Sequence, residues 1–178
     1  ATVDPSAKRA RCGGGTTWAD LDAATQEHAL AVPGGVISHT GVGGLSLGGG
    51  IGWLSRKAGL SCDNLVSAQV VLADGSIVTA SATDNPDLHW ALRGGGGNFG
   101  VVTALEFQLH PVGPTILGGL MAWPAARGPE VSGAFRDWAD QAPEELGPAL
   151  VMLSGPPEEF IPPHLQDQPL IAAAVCWT

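Results

Sequence analysis

The chain contains no tyrosine, which removes one of the common acid–base side chains from any catalytic mechanism. It has only two lysines, Lys8 and Lys57, and neither lies in a Gly-Lys-Ser/Thr sequence, so a P-loop is excluded. Eight basic residues face seventeen acidic ones, which gives a net charge of −9 at pH 7. Because such a chain repels phosphate backbones, we expect no nucleic-acid partner.

Cysteine is also scarce. Cys12, Cys62 and Cys176 are odd in number and far apart, so they form neither a disulfide framework nor a metal-ligand motif. We expect reduced thiols, no metal site and a cytoplasmic protein. No apolar run is long enough to span a bilayer and no signal-peptide pattern is present, so we expect no membrane partner. Both ends read like the middle of a domain, and we therefore expect a chain truncated at both ends.

Glycine, in contrast, is abundant, with 26 residues in 178, and it is concentrated in residues 34–52 and 94–100. Branched and apolar residues recur through the first stretch, which is untypical of a flexible linker. We expect a packed loop that buries its apolar side chains and presents bare backbone to a ligand. The alternative is that these glycines serve tight turns and crowded strand crossings. The residue types alone favour neither interpretation.

The second stretch contains a literal G-x-G-x-x-G pattern at Gly95, Gly97 and Gly100. In a Rossmann fold that pattern follows a strand and opens a helix. Here a helix is predicted before the glycines, over residues 88–92, and a strand after them, over residues 101–109. The Rossmann interpretation is therefore excluded. Loop N–H groups still bind anions without basic side chains, and two such loops suit an extended dinucleotide with a large ring system.

The remaining patterns predict a mixture of helices and strands. Thr17 is a plausible N-cap of a helix that begins at Trp18. Asp74-Gly75 predicts a hairpin turn, and residues 110–114 are dense in helix and strand breakers. Further predictions are turn-like residues at 1–10, hairpin strands at 66–72 and 77–80, strands near 116–123, 149–153 and 170–177, a helix over 129–142 and a loop over 155–169.

Residues 41–54 read Gly-Val-Gly-Gly-Leu-Ser-Leu-Gly-Gly-Gly-Ile-Gly-Trp-Leu and resemble the central FAD-binding segment of berberine bridge enzyme-like oxidoreductases. These belong to the vanillyl-alcohol-oxidase superfamily with its PCMH-type FAD-binding domain. The resemblance continues through residues 56–65, 73–75 and 87–103. It implies an α+β fold, an FAD cofactor and a small-molecule substrate. Residues 1–113 would be the C-terminal subdomain of the FAD-binding domain, and residues 114–178 the incomplete beginning of an antiparallel-sheet substrate-binding domain.

The resemblance also implies where the cofactor lies. Residues 38–44 would run past the flavin and its ribityl chain, residues 48–54 would approach the pyrophosphate and ribityl region, and residues 100–102 would approach the adenine. Asp63 and Asn64 are expected to brace the loop without touching FAD. The predicted cofactor-binding residues are Ser38, His39, Thr40, Gly41, Val42, Gly43, Gly44, Gly48, Gly50, Gly52, Trp53, Leu54, Gly100, Val101 and Val102.

The chain departs from the family pattern at several positions. Ile37 stands where many members attach FAD through a cysteine, so a cysteinyl link is excluded, while the histidine attachment site would lie upstream of Ala1. Leu45 replaces a histidine that reaches the ribityl chain in some members. Thr40 occupies the oxygen-gate position, where valine accompanies oxidases and leucine accompanies dehydrogenases. Threonine resembles valine in shape, which favours an oxidase; the alternative is that Thr40 only hydrogen-bonds the loop.

No catalytic base is identified. His39 is the candidate acid or base in the flavin loop, although loop packing or a ribityl contact is favoured for it, and His89 is expected at the surface or core edge. Trp53 and Trp90 are expected in the core rather than stacked on flavin. The resemblance implies an FAD-dependent oxidoreductase whose flavin accepts hydride from a C–H bond beside a hydroxyl or amine and is reoxidised by oxygen. The alternatives are a non-catalytic relic or a module for another nucleotide-containing ligand.

Overall fold

The computed structural model describes residues 1–159 and 161–178, which form two units, Ala1–Thr115 and Ile116–Thr178. Both units combine helices with antiparallel sheet, which confirms the predicted α+β fold class. The identification of these units with a cofactor subdomain and a substrate domain stays a prediction. Among the described residues, no helix is both long and apolar enough to cross a bilayer.

The first unit is built on a five-stranded antiparallel sheet in the order β1-β2-β6-β4-β5, with β3 and β7 forming a separate pair. The strands of this unit are β1 Thr2–Asp4, β2 Arg9–Gly13, β3 Leu30–Ala31, β4 Leu65–Val71, β5 Ile77–Ser81, β6 Val101–Gln108 and β7 His110–Pro111. The predicted hairpin is confirmed as β4 and β5, which are joined through Asp74 and Gly75.

The prediction of a turn-like residue 1–10 segment is wrong, because the segment contains β1 and the start of β2. Only its middle is a turn, where the Asp4 carboxylate accepts hydrogen bonds from the N–H groups of Ser6 and Ala7 at 3.0 Å each. The polar, turn-forming residues thus mark the tip of a hairpin. Its edge strand is too short and too exposed to show an apolar pattern.

Four helices lie in the first unit: α1 Trp18–Gln26, α2 Val42–Leu47, α3 Ser55–Ala58 and α4 Pro86–Leu92, with a 3₁₀ turn at Ser61–Asn64. The predicted N-cap is confirmed, since Thr17 and Asp20 form a reciprocal capping box at the start of α1. Helix α2 was not predicted. Two of its six residues are glycines, which disfavour a helix, but burial of Val42 and Leu47 stabilises it.

The core of the first unit lies between α1, α2, α4 and one face of the five-stranded sheet. Its fully buried side chains include Trp18, Leu21, Val42, Val70, Leu92, Leu105 and Phe107. The expectation that Trp53 and Trp90 belong to the core is wrong, because they are 36% and 76% exposed. Trp90 lies two residues from both Leu88 and Leu92, so the helical repeat places it on the opposite face of α4 from those core residues.

The second unit contains a three-stranded antiparallel sheet in the order β8-β10-β9. Its strands are β8 Leu117–Pro124, β9 Leu146–Ser154 and β10 Pro169–Trp177, and its helix is α5 Gly128–Ala139. These confirm the predicted strands and helix, although α5 ends three residues early. The predicted loop 155–169 includes a 3₁₀ turn at Pro163–Leu165. Phe160, within that loop, lies outside the described residues.

Helix α5 packs against this sheet through Val131, which is buried, while Trp138 is 42% exposed. Phe135 and Trp138 face each other with ring centroids 5.7 Å apart. A mainly apolar cavity of about 340 Å³ lies between the helix and the sheet. It is lined by Met121, Trp123, Arg127, Glu130, Val131, Ala134, Phe135, Trp138 and Ala173.

Candidate functional site

The first predicted cofactor segment, residues 38–44, is held at its start by the N-terminus of α1. The N–H of Ala19 donates to the Ser38 carbonyl at 2.8 Å, and the N–H of Trp18 donates to the Thr40 carbonyl at 3.0 Å. The first N–H groups of a helix have no acceptor within it, so these bonds satisfy α1 while they fix the loop. The N–H of Val42 also donates to the Thr16 carbonyl at 2.9 Å. The main chain is therefore restrained from Ser38 to Val42.

The side chains around this segment face outward. Val36 and Ile37 are 59% and 50% exposed, and Ile51 is 75% exposed. The expectation that the first glycine stretch buries its apolar residues is therefore wrong at these three positions. Ile37 begins a turn in which its carbonyl accepts from the Thr40 N–H at 3.1 Å. The result is an apolar surface beside bare backbone. Exposed apolar patches of this kind mark binding surfaces.

The polar residues of the segment behave differently from one another. Ser38 and His39 are exposed, so His39 does not pack within the loop as one of its predicted roles required. Thr40 is half-buried, and its carbonyl and N–H are both engaged, with Trp18 and Ile37 respectively. Thr40 thus stabilises the loop through its backbone, while its side chain stays partly accessible.

The glycines of this region are of two kinds, open and crowded. A Cβ added at Gly41 or Gly44 would meet no atom within 4 Å, so the backbone there is open to a ligand. In contrast, a Cβ added at Gly52 would overlap the carbonyl oxygen of Gly34, which identifies a crowded chain crossing. Gly43 is intermediate, since its Cβ would lie 3.3 Å from the Gly14 carbonyl.

The second predicted segment begins at a turn through Gly49 and Gly50, whose φ angles are +113° and +84°. Such angles favour glycine, because a side chain strains the backbone there. The N–H of Ser61 donates to the Gly50 carbonyl and the N–H of Cys62 to the Gly49 carbonyl, both at 2.9 Å. The 3₁₀ turn at Ser61–Asn64 therefore holds this glycine turn through two backbone hydrogen bonds.

The predicted bracing role of Asp63 and Asn64 is confirmed for the chain after α3, and the absence of a contact with FAD stays a prediction. The Leu60 N–H donates to Asp63 Oδ2 at 2.9 Å. Asn64 Nδ2 donates to the carbonyls of Ala58 and Leu60 at 2.8 and 2.9 Å. Both side chains therefore hold the chain that follows α3, next to the proposed cofactor segment.

His110 completes this brace from β7. Its Nε2 lies 2.6 Å from Asn64 Oδ1, and because that oxygen only accepts, Nε2 carries the proton. Burial lowers the pKa of His110, and the positive charges of Lys57 and Lys8 lower it further. The neutral imidazole is therefore the favoured form in the folded chain. His89 lies at the core edge as expected, with Nε2 3.0 Å from the Leu65 carbonyl.

The second glycine stretch joins the first at a single atom. The carbonyl oxygen of Leu47, at the end of α2, accepts hydrogen bonds from Gly94 at 3.1 Å and Gly96 at 2.9 Å. Gly100 has φ of +142°, and an added Cβ there would lie 2.6 Å from the Val71 carbonyl. Val101, the next residue, is 68% exposed. Sequence reasoning missed this junction because residues 47 and 96 are distant along the chain.

Trp18 is a further residue that sequence reasoning missed. Its ring is fully buried beneath the first glycine stretch, where a Cβ at Gly34 would lie 2.5 Å from Cε3 of the ring. Its position directly after the N-cap was the only available signal. Among the described residues, Trp18 Nε1 and Ser46 Oγ are the buried side-chain polar atoms without a hydrogen-bond partner.

The cysteine thiols form no part of this arrangement. All three are free and buried, and burial raises the pKa of each thiol. Within the described part of the chain, no group of three or more histidine, cysteine or acidic side chains is placed to hold a metal ion. The site is thus built from backbone, glycines and exposed apolar side chains, which suits a large, flat organic cofactor better than an ion.

Comparisons with known proteins agree with this chemistry. Residues 1–81 match the family described as FAD binding domain. The (R)-6-hydroxynicotine oxidase of Paenarthrobacter nicotinovorans is 40% identical over 121 residues, which are 68% of this chain and 26% of that protein. The chain spans between 23% and 33% of the length of the first curated relatives it matches.

Solved structures resemble the chain over nearly its whole length. BBE-like 1 of Physcomitrella patens has a TM-score of 0.86 and 28% identity, covering 99% of this chain and 36% of that one. Wild-type Phl p 4, a grass pollen allergen with glucose dehydrogenase activity, has a TM-score of 0.81 and 29% identity, covering 98% and 34%. An isoleucine-to-valine variant of Phl p 4 is a glucose oxidase, with the same TM-score.

Proposed function

We propose that the chain is the cofactor-holding part of a berberine bridge enzyme-like, FAD-dependent oxidase of small molecules, which its match to an FAD binding domain and its FAD-linked relatives support. When bound, FAD supplies the two-electron chemistry, accepting hydride from a C–H bond beside a hydroxyl or amine and passing the electrons to oxygen. The chain itself binds and orients the cofactor. Residues 114–178 would begin the substrate-binding domain.

The observation that carries this proposal is the restrained, open backbone from Ser38 to Val42. Its carbonyls are held by the first N–H groups of α1, and its neighbours Val36 and Ile37 offer apolar surface. A flat ring can approach the backbone at Gly41 and Gly44, where nothing stands within reach of an added Cβ. We therefore assign residues 38–44 to the flavin and its ribityl chain.

The other two segments are assigned by the same criterion. The turn through Gly48 and Gly50 leads to Trp53 and Leu54, and we assign residues 48–54 to the ribityl and pyrophosphate region. We assign Gly100, Val101 and Val102 to the adenine side. Gly52 is assigned a structural role within this segment, because the carbonyl oxygen of Gly34 fills the space beside its α-carbon.

The attachment of FAD is proposed to involve no bond to this chain. Ile37 occupies the position of the family's cysteine, and a hydrocarbon side chain offers no nucleophile for a link. Among the described titratable groups of the first segment, only His39 is available for proton transfer, and it is exposed. A ribityl contact or proton transfer by His39 stays a prediction.

Reaction with oxygen is proposed from Thr40. Its side chain is partly accessible and branched at Cβ, as valine is. In Phl p 4, a change from isoleucine to valine distinguishes a glucose dehydrogenase from a glucose oxidase. A small change in one branched side chain therefore accounts for such a difference in that relative. By shape, Thr40 favours the oxidase.

The test is a titration with FAD, followed by flavin fluorescence and thermal shift. It is made with this 178-residue chain and with the product of its whole reading frame. Saturable binding by either protein, with an increase in Tm, supports the proposal. Binding only by the longer protein assigns the missing affinity to residues outside this chain. If neither protein binds FAD, the proposal of a flavoenzyme is wrong.

A further inference from the structure

Arg93, the last residue before the second glycine stretch, has no part in the assignments above, yet its side chain spans two elements. Its Nε donates to the Cys62 carbonyl at 2.9 Å, and a terminal guanidinium nitrogen lies 3.0 Å from Asp63 Oδ1. The ion pair is partly exposed, with 34% and 48% of the two side chains accessible, so charge attraction alone contributes little. The bond to a carbonyl of the 3₁₀ turn is the distinctive contact.

That 3₁₀ turn supports the glycine turn assigned to the ribityl and pyrophosphate region. Its Ser61 and Cys62 N–H groups hold the carbonyls of Gly50 and Gly49. On the other side of Arg93, the N–H of Gly94 holds the Leu47 carbonyl at 3.1 Å. A closed ring of hydrogen bonds therefore runs from Leu47 through Gly49, Cys62 and Arg93 to Gly94 and back to Leu47.

We infer that Arg93 is a positioning residue for FAD, acting through the Gly48–Gly50 backbone that this ring encloses. The inference rests on the proposed function. Glycines have no side chain to restrain them, so a run of three loses more conformational entropy on ordering than other residues do. A ring that orders them before binding removes that loss from the binding step, which raises affinity without any contact to the ligand.

The two contacts of Arg93 are separable by substitution. Arg93→Met keeps the length of the stem but removes every donor. Arg93→Lys keeps the charge beside Asp63, but a single ammonium lacks the planar fork that reaches both partners. Asp63→Asn removes the ion pair and its hydrogen bond but keeps the Arg93 contact with Cys62, because the single amide oxygen accepts from Leu60 and the NH2 group faces Arg93. Arg136→Met removes a comparable exposed pair, with Asp137 in the second unit, and is the matched control.

The experiment measures the FAD dissociation constant of each variant in the product of the whole reading frame, together with the Tm of the apoprotein. We expect Arg93→Met to weaken FAD binding by about tenfold, equivalent to roughly 1.4 kcal/mol. Arg93→Lys is expected to lie between Arg93→Met and the wild type. Asp63→Asn is expected to weaken FAD binding less than Arg93→Met does, and Arg136→Met is expected to bind FAD within about twofold of the wild type. The visible absorbance bands of bound flavin should also shift in Arg93→Met, because the ribityl segment is less ordered.

The outcomes distinguish positioning from a merely structural role. A lower apoprotein Tm with an unchanged dissociation constant in folded Arg93→Met overturns the inference. If Arg93→Met does not fold, Arg93→Lys decides: wild-type affinity in that variant overturns the inference, and weakened affinity with an unchanged Tm supports it. If the wild-type protein binds no FAD, the proposed function fails and the inference falls with it. Wild-type binding with unaffected variants rejects only the role of Arg93.

Discussion

Gly52 lies with its α-carbon directly against the carbonyl oxygen of Gly34, at a crossing with no space for a Cβ. Gly34 cannot retreat, because its own α-carbon rests on the ring of Trp18, which is fully buried. Two segments of the first glycine stretch are thus fixed against each other and against the core. This crossing fixes the proposed pyrophosphate segment against the chain that leads into the proposed flavin segment.

Substitution of Gly52 by alanine tests that crossing. We expect Gly52→Ala to lower the free energy of unfolding by about 1–3 kcal/mol, because overpacking forces the backbone apart. Gly44→Ala is the matched control, since a Cβ there meets open space and Gly44 lies within α2. That variant should gain about 0.5–1 kcal/mol from helix propensity. Urea unfolding measures both. A Gly52→Ala protein as stable as wild type would contradict the crossing.

Ser46 provides a second test. Its hydroxyl is buried in α2 without a partner among the described residues, and an unsatisfied buried group is costly. We expect Ser46→Ala to raise the free energy of unfolding by about 1 kcal/mol. Ser61→Ala is the comparison, because the equally buried Ser61 hydroxyl donates to the Gly50 carbonyl at 3.4 Å. That variant should lose stability. Urea unfolding measures both variants. Equal changes in the free energy of unfolding would contradict the difference in hydrogen bonding between the Ser46 and Ser61 hydroxyls.

The pKa of His110 predicts a pH dependence of stability. Burial first, then Lys57 and Lys8, lower this pKa in the folded state, so the unfolded chain binds the proton more readily. Stability from this group is therefore complete above the unfolded pKa of about 6.5 and is lost as the pH falls through the folded value. The measurement is the urea midpoint at a series of pH values from 8 down to 5.

The variant for this measurement is His110→Gln, whose amide can still donate to Asn64. It should flatten the fall in stability below about pH 6.5. Lys8→Gln should flatten it partly, because one of the charges that lower the pKa is removed. If the urea midpoint of His110→Gln falls with pH as steeply as that of the wild type, another group controls the loss of stability at low pH.

Thr40 allows a test of the electron acceptor. In the product of the whole reading frame, Thr40→Leu should slow reoxidation by oxygen on the order of tenfold, equivalent to about 1.4 kcal/mol in the barrier, by filling the approach. Thr40→Val should keep the wild-type rate, because the shape is conserved. The rate with an artificial dye acceptor is the control and should change in neither variant. Equal oxygen rates in all three proteins would reject the gate.

Local features of the structure were accessible from the sequence. The capping box needs only Thr17 and Asp20, three residues apart, and the β4–β5 hairpin needs only the Asp74-Gly75 turn and its flanking strands. Such features depend on neighbours along the chain. The three cofactor segments came from family resemblance, and their contacts with FAD stay predictions.

The features that the sequence did not predict depend on distant neighbours. Helix α2 contains two glycines and exists because Val42 and Leu47 reach the core. Trp90 is exposed because the opposite face of α4 meets the core, and the residue type alone does not indicate which face that is. The hydrogen bond between the Gly96 N–H and the Leu47 carbonyl joins residues that are 49 positions apart. Backbone-to-backbone contacts of this kind leave no trace in side-chain patterns.

The bonds from α1 to Ser38 and Thr40 have a kinetic consequence. Residues 38–42 cannot detach without uncovering the first amide groups of α1, so the segment and the helix start should open as one cooperative unit. Amide protons of Trp18, Ala19 and Val42 would then exchange with solvent deuterium at a common rate. A ligand bound to the segment would slow all three together, and the start of a helix outside the site would report on its occupancy.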